Sequence, residues 1–451
     1  MKDETKGARV SDAAQPVQRP AETSYPKPYL VYVLALLFVA AALNISDRSL
    51  FAVMIPQIKA EFGLSDSTMG ALGGPYFAVA YVLFSLPLAV LADRWSRRKV
   101  LALSVAVFSA MTALGGLAAN VLQLSIARIG VGIGEAGGFP PAQSIIASTF
   151  SAKQRTTALG VMAAGIYAGV LLGTTVAGHM TVALGWRQTF ILLAIPGVVV
   201  ALLAWTTLPR RPTGFSALGK APVGETVLAC LKSRTLILIT LASGISNISG
   251  LAMQFWFPTF LVRSHGMPMQ EAATWIGAMA VIGGIIGTVG GGILADRLRR
   301  IHESWQVWIG AVSLIVGAPI LFAQFLLPAG VNLNLLGFKI PVIFLLSCTY
   351  SACYSATQAP AFGAAMSVVP ARYRSMSGAV YTAGLTLIAA VIGPWLVGAL
   401  SDGLTAQYGL ESLRYALLLA PIPVVIGSAL FWWAGAFYRR EKAAADAGTP
   451  A

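Results

Sequence analysis

The chain is poor in charge, poorest of all in acid. Its 451 residues hold 31 Lys+Arg and 17 Asp+Glu, 11% in all, against 57% hydrophobic residues. A water-soluble chain carries about 25% charged and about 45–50% apolar residues. Too few polar side chains are present to coat a globule, which excludes water as the main solvent. Cysteine is scarce too: Cys230 lies beside a basic loop, while Cys348 and Cys353 share one apolar run, so no disulfide framework exists. The three histidines, His179, His265 and His302, fall at the ends of apolar runs or in loops, which argues against metal ligation. No Ser/His/Asp set, metal cluster or phosphate loop is present, so neither an enzyme nor a bound cofactor is expected. The net charge of +14 would suit nucleic acid, but the basic residues sit in short clusters between apolar runs and form no basic face. No apolar stretch precedes Tyr29, so no cleavable signal is expected, and residues 1–28 read as a polar cytoplasmic tail.

What is abundant is hydrophobic length. A spanning helix needs about 20 apolar residues, and twelve such segments can be marked: 29–57, 69–92, 98–118, 121–148, 155–182, 186–207, 235–260, 271–295, 304–327, 340–366, 374–400 and 413–437. With both ends cytoplasmic, the inner segments hold 24 Lys and Arg and the outer loops five. Basic residues resist transfer across the bilayer, so this imbalance fixes both ends inside. The pattern also repeats. Leu91-Ala92-Asp93-Arg94 closes the second span and Leu294-Ala295-Asp296-Arg297 the eighth. The sequence therefore predicts an all-α membrane protein of two pseudo-symmetric six-helix bundles, 29–207 and 235–437. The joining loop is 208–234 and the closing tail 438–451, and the pathway is expected between the bundles.

Four charged residues lie deep in these spans: Asp47, Arg48, Arg128 and Glu135, all in the first half. Each costs roughly 2.5–3.5 kcal/mol at mid-bilayer and must face a partner or a water-filled cavity. Along an inward-running helix Glu135 sits about 10 Å deeper than Arg128, at 1.5 Å per residue. Asp47, in the outer half of the first span, reaches the level of Arg128. This predicts an Asp47–Arg128 pair and leaves Glu135 as the lonelier acid, able to carry a proton. Arg48, 100° round the helix from Asp47, either pairs laterally or binds the anionic part of a substrate.

Other residues point to movement and binding. Asp93, Arg94 and Arg97 in one half, with Asp296 and Arg297 in the other, form the acid-plus-arginine pattern of a cytoplasmic gate. Pro140 in the fourth span and Gly393-Pro394 in the eleventh are expected hinges. Glycine stripes in the fifth span (Gly160, Gly165, Gly169, Gly173, Gly178) and the eighth (Gly283, Gly284, Gly287, Gly290, Gly291, Gly292) favour close helix packing. In the tenth span Tyr350, Tyr354, Thr357 and Gln358 share a face, and Asn247 in the seventh adds an uncharged polar group. These suit an amphiphile or neutral polar moiety, with interhelical hydrogen bonding as the competing use.

Asp93-Arg94-Trp95-Ser96-Arg97-Arg98, together with Gly292-x-x-x-Asp296-Arg297, resembles the loop signature of the major facilitator superfamily, with Ala89 where the family has glycine. Arg128-x-x-x-Gly132-x-Gly134-Glu135-Ala136 resembles its fourth-helix motif. Asn44-Ile45-Ser46-Asp47-Arg48 with Val131-Gly132-Ile133-Gly134-Glu135-Ala136 is most similar to the spinster group, whose members move lysophospholipids or sphingosine phosphate. The resemblance implies a monomeric carrier working by alternating access in the cell membrane, moving a lipid-like amphiphile. Asp47, Arg128 and Glu135 would couple transport to protons, and Arg48 and Arg128 would receive the substrate anion. Glu135-Ala136-Gly137-Gly138-Phe139-Pro140 also resembles anion:cation symporters, which implies a small organic acid as the alternative substrate. A membrane receptor without turnover is the reading from a different class; a channel is disfavoured because no repeated ring lines a pore.

Overall fold

A computed structural model describes residues 25–209, 230–335, 337–370 and 373–447; the side chains of Asp93, Ala152, Leu335, Phe338 and Ser375 are outside that description. The expected tail 1–28 and joining loop 208–234 therefore fall largely outside the described residues.

The first half holds α1 (Lys27–Phe62), α2 (Asp66–Gly73), α3 (Pro75–Arg94), α4 (Arg97–Gly116), α5 (Val121–Ala136), α6 (Phe139–Thr149), α7 (Ala152–Leu171), α8 (Ala177–Leu184) and α9 (Trp186–Thr207). The second holds α10 (Arg234–His265), α11 (Met269–Leu298), α12 (Trp305–Leu326), α13 (Val342–Ser355), α14 (Gln358–Ser367), α15 (Arg374–Tyr408), α16 (Ser412–Leu417) and α17 (Pro421–Asp446). Starts are set by side-chain caps: Asn120 accepts from Gln123 N–H at 3.0 Å and Ser233 from Leu236 N–H at 3.1 Å. Gly63 and Gly266 close α1 and α10 with φ of 62°, the left-handed cap that glycine adopts without strain.

Nine stretches among the described residues are long and apolar enough to cross a bilayer. Two more of the expected spans are broken helices, α5–α6 and α13–α14, whose pieces are each too short alone. The stretch from Met376 to Asp446 doubles back as two. The breaks follow the residues. Pro140 and Pro141 cannot donate to the carbonyls four residues earlier, so the fourth span opens at Gly137-Gly138. Between α7 and α8, Leu172–Val176 winds as a π turn. Between α12 and α13, Asn332–Leu335 and Phe338–Pro341 pair as an antiparallel hairpin. α17 runs on to Asp446, into the stretch 438–451 expected as the closing tail. There Glu441 accepts from Ser233 Oγ at 2.6 Å and from the Thr235 N–H at 3.1 Å, capping α10.

The repeat seen in the sequence is the repeat of the packing. In the first half α1 packs on α7, α4 on α9 and α3 on α5; in the second α10 packs on α15, α12 on α17 and α11 on α13. The glycine stripes sit where backbones touch. A Cβ at Gly165, Gly169 or Gly173 would lie 2.7, 2.3 or 2.3 Å from the carbonyl oxygens of Phe38, Ala42 and Ser46. Gly283, Gly287 and Gly291 meet those of Cys348, Ala352 and Ala356 at 2.6, 2.2 and 2.4 Å. No side chain fits at either contact. Gly160, Gly290 and Gly292 meet nothing within 4 Å and lie outside it.

Candidate functional site

The charged centre is assembled from α1, α4 and α5. A Cβ on Gly132 would lie 2.5 Å from the Phe77 carbonyl oxygen and one on Gly134 2.5 Å from Phe108 N, so α5 presses against α3 and α4 without intervening side chains. That approach carries Arg128 and Glu135 to α1. Arg128 Nη1 donates to Asp47 Oδ2 at 2.7 Å, and Thr112 Oγ1 donates to Asp47 Oδ1 at 2.5 Å. Both charges are 3% exposed, and the guanidinium lies over the Phe51 ring at 4.5 Å. The expected Asp47–Arg128 pair is present.

Glu135 is not the lonelier acid. Arg48 Nε and Nη2 both reach its Oε2, each at 2.7 Å. The 100° that separates Arg48 from Asp47 on α1 aims it two turns deeper along α5 than Arg128, where Glu135 lies. Of the two uses left open for Arg48, lateral pairing is the one seen. The pair is lopsided. Glu135 is fully buried, whereas the Arg48 side chain is 26% exposed halfway through its span, with Phe77 at 4.6 Å and Tyr81 at 5.1 Å from its guanidinium. Both nitrogens converge on one carboxylate oxygen, and Oε1 has no hydrogen-bond partner.

The second bundle contributes uncharged groups. The Tyr354 hydroxyl donates to Asn247 Oδ1, and Gln358 approaches the same hydroxyl. Tyr354, Asn247 and Gln358 are half-buried, while Thr357 and Tyr350 are buried. Tyr350 stacks on Tyr354 with ring centroids 6.4 Å apart but is turned into its own bundle, its ring 3.4 Å from where a Cβ on Gly317 would stand. The shared face of the tenth span is thus split between crevice and core.

The face opposite the termini is shut across the bundles. Asp66, 1% exposed at the start of α2, accepts from Lys59 at 2.5 Å, from Arg263 Nη1 and Nη2 at 2.7 Å each, and from Ser401 Oγ at 2.8 Å. Asp402 accepts from the backbone N–H of Asp66 at 2.9 Å and of Ser67 at 2.8 Å. The sequence shows Lys59 and Arg263 only as loop charges and does not mark Asp66 or Asp402, because Arg263, Ser401 and Asp402 meet Asp66 and its helix start from the opposite half. Gly393 and Pro394, expected as a hinge, lie inside the unbroken α15 at this closure. The Pro394 carbonyl accepts from Trp256 Nε1 at 2.8 Å and stands 2.3 Å from a Cβ built on Gly70. Pro140, by contrast, begins α6 beside a real break.

At the terminus-bearing face stand the expected gate residues, the Asp93 side chain lying outside the described residues. Arg94 and Arg297 are exposed, and among the described residues Asp296 pairs with Arg299 on its own helix at 3.4 Å. Arg97 is half-buried and has its own partners. Higher up, Tyr167 on α7 bridges to Thr288 on α11 at 2.7 Å. The bundles are thus joined by charged and polar contacts at the face opposite the termini.

The sequence profile of the Major Facilitator Superfamily matches residues 37–394. The chain belongs to the major facilitator superfamily. This superfamily member is 29% identical over 412 residues to an MFS-type efflux pump of Mycolicibacterium smegmatis, covering 90% of this chain and 93% of that one. It is 27% identical to protein spinster homolog 1 of Xenopus laevis, over 92% and 82% of the two chains. A probable galactarate/D-glucarate transporter of Bacillus subtilis is 25% identical over 60% of this chain and 65% of its own. Among solved structures, a bacterial homolog of the human lysosomal transporter Spinster, inward-facing and unoccupied, superposes with a TM-score of 0.81 at 26% identity, over 92% and 99% of the chains. This transporter is thus a multi-pass membrane protein that moves a small molecule.

Proposed function

We propose that this transporter is a proton-coupled carrier of an amphiphilic, lipid-like anion, in which Arg48 is shared between Glu135 and the substrate head group. The Arg48–Glu135 pair carries the reading: a buried acid held by a cation that is itself exposed to the crevice. Arg48 cannot satisfy two anions with one fork. A head group that takes Arg48 leaves Glu135 buried without a counter-charge, which is costly unless the carboxylate gains a proton. Proton and anion therefore bind cooperatively, and each raises the affinity of the other by the same factor. Asp47 and Arg128, locked together and dry, hold the frame against which this exchange takes place.

An amphiphile is favoured over a compact acid because the half-exposed Arg48 lies over the rings of Phe77 and Tyr81 in the first bundle, while the second offers the uncharged, half-buried Tyr354, Asn247 and Gln358. A small sugar acid would need a second cation, and among the described residues the second bundle has none at depth. The sugar-acid relatives keep that reading as the alternative. The basic inner segments support a cell-membrane location with both termini cytoplasmic, so that the closed face looks outward, and a monomer is the working unit.

Thermal shift in detergent against lysolipids and sugar acids separates the substrates: lysolipids should stabilise, more strongly as pH falls, and stabilisation by the acids alone would end the lipid reading. In liposomes, Glu135→Gln should abolish pH-gradient-driven uptake while sparing counterflow. Uptake that still follows the gradient in that variant would end the coupling.

A further inference from the structure

Arg48 has neutral neighbours as well as an acid. Its guanidinium carbon stands 4.6 Å from the centre of the Phe77 ring and 5.1 Å from that of Tyr81, residues one turn apart on α3. The two rings are stacked on each other, with centroids 5.8 Å apart and planes 22° from parallel. The Tyr81 hydroxyl also approaches the guanidinium. A ring face attracts a cation through its quadrupole, more strongly where water is excluded. It does so without neutralising the charge, so a cation resting there still seeks an anion.

The rings are fixed from behind. Phe77 is 3% exposed, and Arg128, itself bound to Asp47, lies over the same ring at 5.6 Å. The Phe77 backbone is pressed on α5 at Gly132, where no Cβ fits. Tyr81 is half-buried and stands one turn nearer the terminus-bearing face. The neighbouring acid offers Arg48 little alternative, because both Asp47 oxygens already accept, one from Arg128 and one from Thr112. Among the described residues, the partners left to Arg48 when Glu135 is neutral are the two rings.

We propose that Phe77 and Tyr81 are positioning residues that hold Arg48 in place once Glu135 has taken a proton, so that its freed N–H groups meet the substrate anion. The inference rests on the reading in which Glu135 and the head group share Arg48. The proton adds to the Glu135 carboxylate, the two Arg48 bonds to Oε2 are given up, and no covalent bond to the substrate forms. Without the rings, a guanidinium at this depth would lack any partner and would have to move toward water, since an unpaired buried charge is costly. Each substrate would then have to bring it back. Held on the rings, Arg48 waits in the position the anion needs, which is preorganisation. The other charges that act on Glu135 are Asp47 from α1 and Arg128 from its own helix; from α4, Thr112 reaches it only through Asp47.

Arginine side-chain NMR of the full chain in nanodiscs tests this without a substrate. Protons above a ring face are shifted upfield by its ring current, and Arg48→Lys identifies the Arg48 signal. In Glu135→Gln, which stands in for the protonated acid, the Arg48 Nε–H signal should lie upfield of the other arginines and move downfield when Tyr81→Leu or Phe77→Leu is added. A signal at the common arginine position in Glu135→Gln, or one that neither added variant moves, overturns the proposal. Transport gives the second measure. In liposomes with lysophosphatidylglycerol as the probe, Tyr81→Leu should raise KM about tenfold, the scale of a desolvated cation–ring contact, while the maximal rate stays within about twofold. Tyr81→Phe, which keeps the ring, should recover most of the loss. An unchanged KM in Tyr81→Leu, an equal loss of maximal rate, or a Tyr81→Phe as impaired as Tyr81→Leu overturns the assignment. If the wild type does not carry lysophosphatidylglycerol, or Glu135→Gln uptake still follows the pH gradient, the underlying reading has failed, and the NMR comparison still decides whether the rings hold Arg48.

Discussion

The two deep ion pairs have the same chemistry and opposite settings, and the setting decides what each can do. Asp47 and Arg128 are both 3% exposed, and Asp47 is further held by Thr112. Removing one member strands the other in low dielectric. Asp47→Leu should cost about 3–5 kcal/mol, read as a lowered melting temperature in detergent, and adding Arg128→Met should recover most of the loss. A double variant as unstable as the single one would show that the pair does more than neutralise itself. At the Arg48–Glu135 pair one partner is open to the crevice, so its exchange for a substrate anion is cheaper. The identities of all four residues were legible in the sequence, because charge inside an apolar run has few innocent explanations. Depth along each helix gave one pairing correctly. It misplaced Glu135 because linear depth carries no rotation: Arg48 differs from Asp47 by one residue in rise and by 100° in aim. Phe77 and Tyr81 left no mark, since an aromatic ring in an apolar run acquires a cation beside it only when the helices meet.

At the level of helices, glycine acts as a measuring device. The stripe Gly165, Gly169, Gly173 sets how close α7 comes to α1, and Gly283, Gly287, Gly291 how close α11 comes to α13. In Gly169→Val the branched Cβ would start 2.3 Å from the Ala42 carbonyl oxygen, which α1 cannot avoid without moving as a whole. The expected loss is at least the 1–3 kcal/mol of ordinary overpacking, seen as a lowered melting temperature and poor monodispersity. Gly160→Ala, where nothing lies within 4 Å, should be neutral or stabilising by up to about 1 kcal/mol. Similar losses at both sites would show that the stripe does not set the spacing. Periodicity exposed these stripes without distinguishing their contact members from those outside, because spacing names a face and not its neighbour. The broken fourth and tenth spans have a similar history. Prolines announce both: Pro140 and Pro141 the first, and Pro360, which withholds the helical donor of the Ala356 carbonyl, the tenth, which divides between Ser355 and Gln358.

For the molecule as a whole, the closed face depends on a junction no single half contains. Asp66 comes from the first bundle; Arg263, Ser401 and Asp402 come from the second. Internal repetition in the sequence predicts two similar bundles, and the mirrored packing bears that out, but it does not show which ends meet, since repeats describe each half alone. Opening this face must separate Arg263 from Asp66 and pull the N-terminus of α2 off Asp402. Arg263→Met should therefore favour the state parted at this face. Its side chain is 17% exposed against 2% for Asp66, so screening is partial, and the bidentate geometry places the contribution above the 1 kcal/mol ceiling of exposed bridges. About 1.4 kcal/mol is a tenfold change in the ratio of the two states. Spin-label distances between the loop after α1 and the loop after α15 should gain a longer component, while labels across the terminus-bearing face report a matching shorter one. The coupling of the two is the point: a rigid exchange of closures lengthens one distance as it shortens the other. A variant that lengthens the first and leaves the second unmoved would mean that the junction merely pins a loop, and that closure is held instead by the glycine contacts of Gly70 and Gly398 against α15 and α2.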